Sequence, residues 1–261
     1  MSNVSSDNQV ETVVSSHSKK TTSPAVAILA TVAIFLISQF VAGILIGAIG
    51  VTSGIKPDAI GSWLENSAAA QFGFILIAEG LAISGVVYLV GRENLASIGI
   101  KSPNKTVLKK ALAGFFVFYL VLIGANIIIN LFVPQIDTEQ LQDIGFKSVT
   151  TRQDVLLSFI SLAILPPLAE ETLVRGYLFS KLRARLNFKT TLLITSVLFG
   201  LAHLQLDSGG PPLWSAAVDT FILAVVLGYL RESTGSIWAG VIVHSLNNAV
   251  AFLIRFHGVI F

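Results

Sequence analysis

The chain has 261 residues, 53% of them hydrophobic and 12% charged, with a mean hydropathy of +0.78. A soluble domain carries about 25% charged residues, so this is neither a soluble globular protein nor a wholly disordered one. The 17 Lys+Arg against 15 Asp+Glu leave a net charge of +2, too small to point to nucleic acid, and the absence of cysteine excludes disulfides, thiolate metal sites, a cysteine nucleophile and cysteine lipidation.

Residues 1–24 are polar, rich in Ser, Thr and Val, and read as a disordered tail. The apolar run over 25–51 is about twice as long as a signal-peptide core, which predicts a membrane span or signal anchor rather than a cleaved signal. Gly43 and Gly47 form a G-x-x-x-G pair in it, which predicts close helix packing. Further apolar runs cover 68–90, 108–133, 154–179, 190–206, 214–231 and 236–256. Most approach the ~20 residues that a span needs, and the 190–206 run is short. The predicted fold class is therefore all-α, a polytopic transmembrane helix bundle of about seven spans over 25–261. Pro166 and Pro167 interrupt the 154–179 run and predict a broken or kinked helix there. There is no internal repeat and no Pro-rich or Gly/Ser-rich linker.

With the N-terminus inside, the inner segments carry twelve basic residues, from Lys19 and Lys20 through Arg92–Lys110 and Lys181–Lys189 to Arg231. The outer segments carry four, Lys56, Lys147, Arg152 and Arg255. The positive-inside rule then predicts a multi-pass protein of the plasma membrane with a cytoplasmic N-terminus. Seven spans place the C-terminus outside.

A charge at membrane depth costs about 2.5–3.5 kcal/mol on insertion scales, so each one needs a reason. The candidates are Glu79, Glu170, Glu171, Arg175, His203, Asp219 and His244. On a helix Glu171 and Arg175 are i and i+4 and share a face, where they would hold each other charged. Glu170 is rotated by about 100° and has no partner in the motif. A carboxylate without a counter-ion is the one free to act as a general base. The spacing thus assigns a structural part to Glu171 and a chemical part to Glu170, the alternative being an interhelical polar clamp. His203 follows Phe199-Gly200-Leu201-Ala202, where an interhelical hydrogen bond is the plain alternative. His244 and Asn248, again i and i+4, offer two donors for a developing oxyanion, against a simple packing contact. Together these groups are what peptide hydrolysis needs: one to activate water, others to stabilise the tetrahedral intermediate. Glu170, His203 and His244 are also zinc-ligand types, so a divalent metal such as zinc is an alternative chemistry, although H-E-x-x-H is absent. Glu79 and Asp219 belong to no motif and are expected to be structurally paired or partly hydrated.

Glu170-Glu171-x-x-x-Arg175, Phe199-x-x-x-His203 and His244-x-x-x-Asn248, in that order on successive apolar runs, resemble the CAAX protease and bacteriocin-processing (Abi) family of intramembrane endopeptidases. The surroundings "EETLVRGYLFSKL", "SVLFGLAHL" and "GSIWAGVIVHSLNN" resemble it too, and the resemblance covers about 155–252. It implies a protease-like core at about 154–256, with Glu170 as the water-activating base aided by His203, Glu171 paired to Arg175, and His244 and Asn248 as the oxyanion site. Members of the family are described both as metal-dependent and as metal-independent glutamate proteases. Eukaryotic relatives remove the terminal tripeptide of prenylated CaaX proteins; many bacterial relatives are linked to bacteriocin maturation, self-immunity or membrane-protein processing. The implied partner is a membrane protein or peptide in the lipid bilayer, entering laterally or from the cytosolic side beside the basic segments. Two other readings stay open: a non-catalytic immunity or scaffold protein of the same fold, and a transporter, for which the inverted repeats are missing.

One feature of the span counts conflicts with a level site. At about 1.5 Å per residue from the inner ends, His203 lies about 20 Å deep and His244 about 12 Å. Convergence then requires tilted helices, a dipping 181–189 segment or shifted span ends.

Overall fold

The computed structural model describes residues 22–133, 144–205 and 212–260, so all but the last three residues of the tail predicted over 1–24 lie outside the described residues. Helix α1 (Pro24–Thr52) starts where the Ser23 hydroxyl accepts from the Val26 amide and Pro24 fills the first turn. The short α2 (Ile60–Asn66) leads into α3 (Ala68–Val90), capped by Ser67 and ended by Gly91, whose φ of 82° favours glycine. Asn104 caps α4 (Lys105–Phe132). Thr151 and Asp154 form a reciprocal capping box that opens α5 (Arg152–Phe159). The chain continues through a π turn (Ile160–Ile164), α6 (Leu165–Glu170), a second π turn (Glu171–Leu178) and α7 (Phe179–Arg183) as one rod, Arg152–Arg183. Helices α8 (Phe188–Ala202), α9 (Trp214–Thr234), α10 (Trp238–Arg255) and α11 (His257–Ile260) complete the described fold.

At Pro166 and Pro167, where a break or kink is predicted, the rod is distorted by a π turn but runs on. The π turn before them lets Leu165 N–H reach Ile160 O, and the prolines then occupy the first turn of α6, where their missing N–H groups are tolerated. A carbonyl in the turn below is served from another helix: Asn248 Nδ2 donates to Leu162 O at 2.9 Å. A chain break is replaced by a widened turn and a side-chain donor.

α1, α3, α4, the rod, α8, α9 and α10 alternate in direction. At one end Lys110 Nζ donates to Ser233 O (2.8 Å), Arg183 pairs with Glu232 (2.9 Å), and Ile237 N–H reaches Gly99 O (3.1 Å). At the other end Lys147 pairs with Glu65 (2.7 Å). By length and composition five helices can cross a membrane: α1, α3, α4, the rod and α9. Two of the seven predicted spans fall short. α8 has only 15 residues, and the 18 of α10 include His244, Asn247, Asn248 and Arg255, which lower its apolarity. Outward apolar side chains such as Phe40, Leu120 and Leu131 are at least 70% exposed, as befits a lipid-facing surface. This is an integral membrane, all-α bundle.

Small residues set the close approaches. A Cβ on Gly200 would stand 2.8 Å from Ala217 O, so this glycine lets α8 lie against α9. The predicted Gly43/Gly47 contact is absent among the described residues, none of which lies within 4 Å of either Cβ position. α1 instead buries the neighbouring stripe Ala42, Ile46 and Gly50, the last against Ile60 and Trp63 of α2.

Candidate active site

The three motifs converge. Glu170 ends α6, and its Oε2 lies 3.9 Å from His244 Nε2 and 4.0 Å from His203 Nε2. That oxygen is buried and has no hydrogen-bond partner. Glu171, one residue on, turns to the other side and is fully buried, its Oε1 2.8 Å from Arg175 Nη1. Arg175 also donates to Ala224 O at 3.2 Å. Two carboxylates adjacent in sequence thus face opposite environments: one a cavity, the other a sealed ion pair. A π turn carries the second, a distortion frequent at functional sites.

The depth conflict is resolved at His203. It caps α8 rather than lying within it, and its ring folds back along the helix, with Nδ1 2.9 Å from Phe199 O. That contact assigns the proton to Nδ1 in the neutral ring and leaves the Nε2 lone pair toward Glu170. His244 is flanked from behind: its Nδ1 lies 3.4 Å from Glu171 Oε1. Glu171 therefore pairs with Arg175 and lies beside His244, whose Nδ1 makes no hydrogen bond among the described residues.

Asn248 lies one turn from His244 on α10, and its amide direction is fixed by a chain of bonds. Tyr119 Oη donates to Asn247 Oδ1 (3.1 Å), Asn247 Nδ2 to Asn248 Oδ1 (3.3 Å), and Asn248 Nδ2 to Leu162 O (2.9 Å). An amide nitrogen has two N–H groups, so one remains for another acceptor.

Glu170, His203, His244 and Asn248 line one cavity of about 430 Å³. Asp219 lines it too. Glu79 on α3 is half-buried, close enough to Glu170 for the carboxylates to interact, and has no ion-pair partner among the described residues. The cavity extends from mid-bundle toward Ile144, Ser215 and Arg255, away from the basic loops. The basic loops contribute none of its described lining, and the chemistry lies where α8 ends and α9 begins.

Some residues of the site escaped the sequence reading. The Phe199 ring touches three functional groups: the Arg175 guanidinium at 4.4 Å, His203 at 4.7 Å and His244 at 5.8 Å between centres. Its i,i+4 spacing to His203 was visible, its hub position was not. Gly240 lies one turn before His244, and a Cβ there would stand 2.5 Å from Glu171 Oε2, so glycine makes room for that carboxylate. Tyr119 and Asn247 carried no spacing signal across 128 residues.

Zinc ligands at about 2.1 Å in tetrahedral geometry stand about 3.4 Å apart, whereas the Glu170–His distances are 3.9 and 4.0 Å. No three His, Asp or Glu groups among the described residues are placed to hold one ion. The metal alternative on Glu170, His203 and His244 does not fit this arrangement.

Comparison with known proteins bears on the same segment. Residues 152–250 match the family of type II CAAX prenyl endopeptidase Rce1-like proteins. A protein of Escherichia coli, named "Uncharacterized 24.3 kDa protein", is 34% identical over 93 residues, 35% of this chain and 41% of its own length. The chain thus spans about two-fifths of the curated relative it matches. No solved structure matches. The matched segment contains all three motifs, with Glu170, His203, His244 and Asn248, and is similar to Rce1-like proteins of the CAAX protease and bacteriocin-processing family.

Proposed function

We propose that this protein is an intramembrane endopeptidase that hydrolyses peptide bonds of membrane-associated proteins or peptides. The observation that carries this reading is Glu170 Oε2, buried without a partner and flanked by two imidazole nitrogens at about 4 Å. That spacing is too long for a direct hydrogen bond and suits one bridging water. Glu170 takes a proton from this water, aided by His203, as the oxygen attacks the scissile carbonyl carbon. His244 and the free N–H of Asn248 donate to the oxyanion. Glu170 then passes its proton to the amine as the C–N bond breaks. Glu171 and Arg175 hold His244 and the helix that carries Glu170. CaaX-type processing and bacteriocin maturation or immunity are the substrate settings that the family offers.

The test compares the N- and C-termini of membrane proteins in cells expressing wild type or Glu170→Ala at matched levels, with a chelator arm. Specific termini are expected to vanish in the variant and to persist under chelation. Unchanged termini, with both proteins folded and inserted, would remove the proteolytic reading and leave partner binding.

Tyr119 gives a finer expectation. Tyr119→Phe removes only the hydroxyl that starts the chain to Asn248. It is expected to lower kcat about two- to tenfold, the worth of one hydrogen bond, with KM unchanged. In an Asn248→Ala background the same change is expected to have no further effect. Additive losses in this cycle would separate Tyr119 from Asn248.

A further inference from the structure

We infer that the Glu170 cavity opens on the extracytoplasmic face, so that its substrates are exported peptides or outward segments of membrane proteins rather than peptides presented in the cytosol. The substrate half of this inference rests on the proteolytic reading; the direction of opening rests on charge and packing alone.

The two ends of the bundle differ sharply in basic charge. Among the described residues, ten Lys and Arg lie at the end formed by the start of α4, the α7–α8 turn and the end of α9. Four lie at the other end, and one of these, Lys147, is paired with Glu65. All the connections at the basic end are short, which is where the positive-inside rule applies. The basic end is therefore cytoplasmic.

The cavity runs the other way. Its reactive groups lie at mid-depth, and from there its walls, among the described residues, continue toward Ile144, Ser215 and Arg255. No wall residue comes from the basic end. Toward that end the bundle is filled: Glu171, Arg175, Leu178, Leu182 and Leu227 are each less than 2% exposed. Arg231 adds a bolt there, donating to Arg175 O (3.0 Å) and Ser180 Oγ (3.1 Å). Water and peptide reach Glu170 from the far end, and a cytosolic chain would have to displace the packed core.

The chain has no cysteine, so single-cysteine variants of the full-length protein report topology directly. Asp58→Cys marks the cavity end and Ser102→Cys the basic end; both positions are exposed and outside the site. A membrane-impermeant maleimide on intact cells is expected to label the Asp58 variant at least tenfold more than the Ser102 variant, with the difference lost on permeabilisation. The Glu170-dependent termini are expected in exported peptides or extracytoplasmic segments. Labelling of the Ser102 variant with the Asp58 variant protected overturns the inference, as do cleavage sites confined to cytosolic tails. The expected labelling without any Glu170-dependent cleavage overturns the substrate assignment and the proteolytic reading together, and leaves the outward opening standing.

Discussion

Replacing Glu170 with Gln is expected to lower kcat by about 10³–10⁴-fold, the upper range for a general base, with little change in thermal stability. The amide keeps the shape of the side chain but cannot take a proton from water. Among the described residues the Glu170 side chain also makes no hydrogen bond: two imidazole nitrogens lie near 4 Å, and Oε2 is without a partner. Turnover of a reconstituted enzyme on a peptide found by the cellular comparison measures the effect, with calorimetry or a thermal-shift assay as the folding control. A Glu170→Gln enzyme retaining more than a tenth of wild-type kcat would move the base elsewhere, with Glu79 and Asp219 the next carboxylates to test.

The sequence made the chemistry more legible than the architecture. Glu171 and Arg175 were readable as a pair because i,i+4 spacing on one helix fixes which side chains meet, and the 2.8 Å contact follows that rule even through a π turn. The separation of Glu170 from Glu171 was readable for the same reason. Features that depend on distant segments were not. The prolines predict a break or a kink, and which of them forms depends on who else can donate to the bared carbonyl. Here the donor, Asn248, lies 86 residues away. The Gly43/Gly47 motif marks a surface able to pack closely, yet α1 turned the adjacent stripe inward because Ile60 and Trp63 fill the groove at Gly50. Span counting misjudged His203, since a residue at a helix end can fold its ring back by a turn. Hydropathy also says nothing about which end of a bundle is hollow, so the direction of the cavity had to come from packing.

The largest effect on stability is expected at Glu171, where the substitution tests whether the sealed pair holds the fold or only the site. Glu171→Leu leaves the Arg175 guanidinium 1% exposed with no carboxylate beside it and is expected to cost about 3–5 kcal/mol, the usual loss when one member of a buried pair is removed. The Ala224 carbonyl and the Phe199 ring would still hold the cation, but neither neutralises it. Adding Arg175→Met removes the orphaned charge, and the double variant is expected to recover most of the stability, because well-packed apolar residues often replace a buried pair at little cost. Activity should not return with it. Glu171 Oε1 also lies behind His244 Nδ1 at 3.4 Å, and without it the ring loses the carboxylate that flanks it on the side away from Glu170. Denaturant unfolding in detergent, read beside kcat, separates the two roles: stability recovered with kcat still depressed by tenfold or more means Glu171 orients the site. A double variant that regains both means the pair serves the fold alone and His244 is aimed by the packing of Phe199 and α10.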